Sequence, residues 1–161
     1  MNVPWTLEEL LPHRPPMLLI DAVEEFDPEA KSLTARVTVA PGRILCVAGP
    51  DGAGGVPNWV AIEYMAQTCA ALAGCWDRHV APDRPARPGL LLGTRKLVLG
   101  LDRFEAGRTY HVTAVNAFWD ADAASFECTV RDESGAEVAS AVLNVYRPPD
   151  LEGFLKEPAK Q

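Results

Sequence analysis

Between Val56 and Arg78 the chain reads VPNWVAIEYMAQTCAALAGCWDR, rich in helix-favouring Ala, Met, Leu and Gln and apolar on nearly every side. A helix without a polar face has to be surrounded by other elements. Glu63, Gln67 and Thr68 interrupt the run too early for a membrane span, which needs about twenty apolar residues. The stretch therefore predicts a buried core helix over residues 56–78, with Pro57 suiting its first turn.

The flanking sequence predicts what wraps it. Thr6 before LEELL, with Glu9 three positions on, is a capping-box pattern for a short helix ending at Pro12. Residues 17–26 and 32–40 read as two strands joined by a turn at Asp27-Pro28-Glu29-Ala30. Residues 41–55 hold five of the twelve glycines and read as a loop, as does the proline-rich 80–88. After the helix, residues 89–100, 108–119, 124–132 and 137–147 each look extended. The expected order is a short N-terminal helix and then β-β-α-β-β-β-β. Consecutive strands after one helix imply an α+β fold with an antiparallel sheet rather than βαβ units. LLLGTRKLVL is an apolar, unbroken candidate edge strand whose backbone a second subunit would cover. A length of 161 residues at 48% hydrophobic content suits one domain over 1–161, with a core at about 5–147 and a polar tail at 148–161.

Charge narrows the partners. A net charge of −7 argues against nucleic acid or anionic membranes, which want a basic surface. One local exception is Arg84, Arg87, Arg95, Lys96, Arg103 and Arg108, which face only Asp102 and Glu105 in the same stretch and suggest an acidic docking partner. The first residues show no export signal, so the expected location is the cytoplasm. The four cysteines have no CxxC spacing and read as buried free thiols.

Glu63 is the most informative residue, because it is the only carboxylate between Val56 and Cys75. Burial would raise its pKa and let it donate a proton or hold a water. The alternative is a solvent-facing or structural glutamate. Trp59, Glu63 and Gln67 recur every fourth residue, a stripe that could face a ligand or, for Trp59 and Gln67, simply pack. Gly55 and Val56 at the helix start could offer backbone N–H groups to a thioester oxygen. Of the three histidines, only His13 has a suggestive context; His79 reads as a cap on the helix carbonyls and His111 as a sheet residue beside Thr113. No histidine pair has metal-ligand spacing and no nucleophilic serine or cysteine motif is present, so metal, cofactor and acyl-serine chemistries are disfavoured.

LLPHRPPMLLIDAV resembles the entry segment of the β-hydroxyacyl-acyl-carrier-protein dehydratases, and VPNWVAIEYMAQTCAALAG is similar to their central helix. PGLLLGTRKLVLGLDRFEAGRTYHVTAV resembles their next strand pair, and GGVPNWVAIEYMAQ is most similar to the predicted dehydratases of aryl polyene clusters. The resemblance implies a hotdog fold, an acyl carrier protein delivering the chain on phosphopantetheine, and a homodimer or a heterodimer with a second hotdog dehydratase. It also makes Glu63 the helix carboxylate, facing a histidine from the other subunit. The family's loop histidine has no counterpart, since ungapped counting puts Gly49 there. His13 is the candidate replacement base, and Asp51 a poorer one. Three readings follow: a dehydratase, a partner subunit lacking its own base, or an acyl thioesterase.

Overall fold

The computed structural model describes residues 3–49, 54–83 and 87–156. Alternation builds its main layer. Six antiparallel strands lie in the order β1 (Ala22–Asp27), β2 (Ser32–Thr38), β7 (Thr109–Asp120), β8 (Ala123–Asp132), β9 (Glu137–Tyr146) and β5 (Leu90–Leu99). Every second residue points inward, as in Leu33, Ala35 and Val37 of β2 and Phe126, Cys128 and Val130 of β8, all essentially inaccessible to solvent. Against that face packs α2 (Ala61–Val80), with Met65, Ala71, Leu72 and Cys75 buried. The expected α+β layering, one long helix wrapped by an antiparallel sheet, is the one observed. No helix among the described residues is long and apolar enough to cross a membrane.

β5 is the edge strand foreseen in LLLGTRKLVL. Among the described residues it pairs only with β9, on one side, and its ladder is interrupted between Leu91 and Gly93 and again between Arg95 and Val98. Leu92 and Val98 are 67% and 57% exposed, so the free edge carries large apolar side chains.

Three expectations need correction. The central helix does not begin at Val56. Residues Gly54–Pro57 form β4, which pairs with β3 (Val47–Ala48) and β6 (Arg103–Glu105) in a small second sheet, and a 3-10 turn over Asn58–Val60 precedes α2. Pro57 therefore closes a strand instead of opening a helix, with an extended ψ of 144°. The predicted loop over residues 41–55 contains β3 and the start of β4, while residues 50–53 lie outside the described ones. The first strand also starts later than expected, at Ala22, because the backbone of Met17 and Leu19 is held by a side chain of α2 rather than by a strand ladder. Beyond β9 the tail forms α3 (Leu151–Lys156).

The short α1 (Leu7–Leu10) carries the expected capping contact, with the Thr6 N–H donating to Glu9 Oε2 at 2.8 Å. Gly74 lets this helix lie against α2: a Cβ there would sit 2.7 Å from the Leu10 carbonyl oxygen. That close approach fixes where the chain leaving α1 must run.

Candidate active site

The segment after α1 is pinned on both sides of His13. Arg14 curls back to donate to the carbonyls of Leu11 and His13, both at 2.8 Å, and of Glu8 at 3.1 Å, satisfying acceptors that a helix end leaves open. Gln67, fully buried on α2, accepts from Leu19 N–H at 2.8 Å and donates to Met17 O at 2.8 Å. Its amide nitrogen also donates to Glu63 Oε1 at 2.7 Å. One amide thus ties the entry segment and the carboxylate to the same helical turn.

The consequence is a His13–Glu63 pair. His13 Nε2 lies 3.6 Å from Glu63 Oε1, and both side chains are about one-third exposed. Glu63 falls between the two alternatives of burial and solvent exposure: its side chain is 36% exposed, because it lines a cavity instead of the packed core. Nδ1 of His13 is buried with no hydrogen-bond partner among the described residues. The resemblance implied a histidine from a second subunit; the imidazole that faces Glu63 here belongs to the same chain.

Behind the pair opens a cavity of about 460 Å³. Ala66, Ala70 and Ala73 form its floor on one face of α2, at helical spacing from Glu63. Leu10, Leu11 and Pro12 close one side; Leu90 and Leu91 of β5 with Phe126 and Val145 close the other. Small side chains on the floor leave room for a chain, and apolar walls favour a hydrocarbon one. Arg78, Arg87 and Arg147 stand at the end remote from Glu63.

Other predicted site residues lie elsewhere. Gly55 pairs with Glu105 in the small sheet, and a Cβ there would meet Phe104 O at 2.7 Å, so the close strand approach by itself requires a glycine. Val56 is core, 2% exposed. Trp59 sits in the 3-10 turn, off the helical stripe, and is 57% exposed, which also corrects the packing alternative. None of the three lines the cavity. Gln67 does not line it either; its amide is spent on Glu63 and the entry segment. Asp51 and Arg84 lie outside the described residues.

His79 rests against the rings of Phe26 and Trp76 instead of acting as the foreseen carbonyl cap, and His111 Nδ1 meets Glu24 Oε2 at 2.7 Å on the sheet face. The basic stretch is partly neutralised from the turns on either side of β8: Arg87 faces Asp122 at 3.9 Å and Arg108 faces Glu133 at 3.1 Å. The cysteines are free. Cys69 and Cys128 approach at 3.4 Å in the core, where burial raises the Cys69 thiol pKa, and Cys46 is only half-buried. The arginine-lined far end of the cavity was missed from sequence, because Arg78 and Arg147 stand 69 positions apart and neither has a motif.

A carboxylate and an imidazole facing each other across the mouth of an apolar cavity can exchange a proton with a bound chain. Residues 5–156 match the model of the ApeP-like family, described as ApeP dehydratase. The chain belongs to the ApeP-like family. A chain of the dehydratase heterocomplex ApeI:P from Xenorhabdus doucetiae is similar to this ApeP-like chain at 26% identity and a TM-score of 0.80, over 94% of this chain and 97% of that one. With it the hotdog fold is shown. The 3-hydroxyacyl-[acyl-carrier-protein] dehydratase FabZ of Chlamydia pneumoniae is 36% identical over 101 residues, 60% of this chain and 64% of that protein. The chain thus spans less than two thirds of that relative's length. A hypothetical thioesterase from Streptococcus pneumoniae TIGR4, solved with coenzyme A, has a TM-score of 0.59 at 8% identity over 79% of this chain and 84% of that one, a likeness of fold alone.

Proposed function

We propose that this chain removes water from a 3-hydroxyacyl thioester carried on acyl carrier protein, giving the trans-2-enoyl thioester. The observation that carries this reading is the pair itself: Glu63 and His13, from separate elements, 3.6 Å apart at the mouth of an apolar cavity. Elimination needs one group to take the C2 proton and another to give a proton to the departing C3 hydroxyl. Neutral His13 Nε2 takes the first. Protonated Glu63 supplies the second, and water leaves with the hydroxyl oxygen. One proton then passes from His13 to Glu63 and restores the resting pair. Gln67 holds Glu63 in place for both steps.

The likeness to a chain of a dehydratase heterocomplex and the uncovered apolar edge of β5 support a second reading: assembly with a different hotdog subunit through that edge. Incubation with 3-hydroxyacyl and saturated acyl carrier proteins, followed by mass spectrometry, separates the possibilities. Loss of water by the chain alone is the expected result. Activity only after a second hotdog protein is added supports the partner-subunit reading, and release of free thiol contradicts both in favour of a thioesterase. Replacing Glu63 by Gln should lower turnover by about 10²–10⁴-fold with the fold retained. Undiminished turnover removes Glu63 from the chemistry.

A further inference from the structure

The cavity does not end in hydrocarbon. From Glu63 it follows Ala66, Ala70 and Ala73 along α2, ten residues or about 15 Å of helix, and reaches Arg78 in the last turn and Arg147 after β9. Arg147 is 2% exposed and spends its outer nitrogens on Asp77 and the Arg87 carbonyl. Arg78 is placed differently. Among the described residues it gives one hydrogen bond, Nη2 to Glu9 O at 3.2 Å, and no carboxylate lies within ion-pair distance of it, although its charge is felt by the Glu9 carboxyl. Its Nε is buried without a partner among the described residues, as is that of Arg147.

A methyl-ended chain filling this space would strip water from the Arg78 guanidinium and give nothing back, which is costly for a charged donor. A terminus that accepts a hydrogen bond restores what the water supplied. We propose that the Arg78 end of the cavity is a subsite for a hydroxyl terminus of the acyl chain, with Arg78 as the residue that sets this specificity. The proposal rests on the cavity being an acyl site. Glu8 and Glu9 line the same rim and oppose a carboxylate there. A hydroxyl suits both signs of charge, since it accepts from Arg78 and donates to a rim glutamate. Sites built to hydrogen-bond a substrate hydroxyl discriminate far more strongly than apolar pockets discriminate a methylene.

The test is equilibrium binding rather than turnover. Pantetheine thioethers, which carry no phosphate and cannot react, are prepared with chains of one length ending in hydroxyl, carboxylate or methyl. Their binding to the full chain is measured calorimetrically. The hydroxyl-ended chain should bind at least about tenfold more tightly than the methyl-ended one. Arg78→Met should bring that ratio near one by weakening the hydroxyl-ended chain and tightening the methyl-ended one, which no longer strips water from a charge, and Arg78→Lys, which keeps the charge, should retain part of the preference. Equal binding of all three chains by the wild type overturns the proposal, as does tightest binding of the carboxylate. A uniform loss for every chain in Arg78→Met overturns it as well, because the arginine would then be serving the cavity wall. Selective binding without any dehydration would leave the subsite standing while the dehydratase reading falls.

Discussion

The most deeply buried charged side chain among the described residues stands at the far wall of the cavity, away from the reacting pair. Arg147, 2% exposed, meets Asp77 through two hydrogen bonds and lies 5.4 Å from the ring of Trp119. Removing one partner of such a pair leaves the other buried and unpaired, so Asp77→Ala should lower stability by about 3–5 kcal/mol, read as a lower urea midpoint with an unchanged slope. A loss under about 1 kcal/mol would mean that water already reaches the guanidinium. Thiols give a pH prediction at the same scale. Burial pushes the Cys75 pKa from 9.0 to about 12. Below 9.0 both folded and unfolded chains keep the neutral thiol; above it only the unfolded chain ionises, so stability falls as pH rises from 9.0 to about 12. Cys75→Val should flatten part of that alkaline decline in denaturant melts, and an unchanged slope would contradict it.

At the scale of elements, Gln67 joins α2 to the segment that brings in His13. Gln67→Leu leaves Leu19 N–H and Met17 O without their buried partner and frees Glu63. Stability should fall by about 1–3 kcal/mol. Turnover should fall more than the lost stability explains, with the fold intact by circular dichroism; unchanged turnover would show that Glu63 needs no support. The long strands and the edge at β5 were legible, because alternation and β-branched residues persist over ten or so positions. The small sheet was not: β3, β4 and β6 are two to four residues long, and the glycines in and around them signal a turn equally well. Reading Pro57 as the first helical position followed from its fixed φ, which suits a strand end as readily. Glu63 stood out by its apolar neighbours alone. The approach of His13 was not legible, because it depends on Gly74 admitting Leu10 sixty-four positions away.

For the whole molecule, the outstanding question is what covers β5. Leu92 and Val98 stand on an unpaired edge, and a strand of this kind invites pairing with another chain. Leu92→Lys together with Val98→Lys should shift the protein toward the monomer in sedimentation velocity while leaving the fold unchanged; an unaltered profile would place the contact elsewhere. The pairing bears on chemistry, because the reacting groups could be assembled within one chain or shared between two. Here His13 and Glu63 meet within one chain. The most direct test is to mix His13→Ala chains with Glu63→Gln chains, allow subunits to exchange, and measure water loss from a 3-hydroxyacyl carrier protein. No activity above that of either variant alone is expected, since neither chain holds a complete pair. Recovery of one working site per mixed dimer would show that the two residues act across subunits, and would contradict the intrachain site.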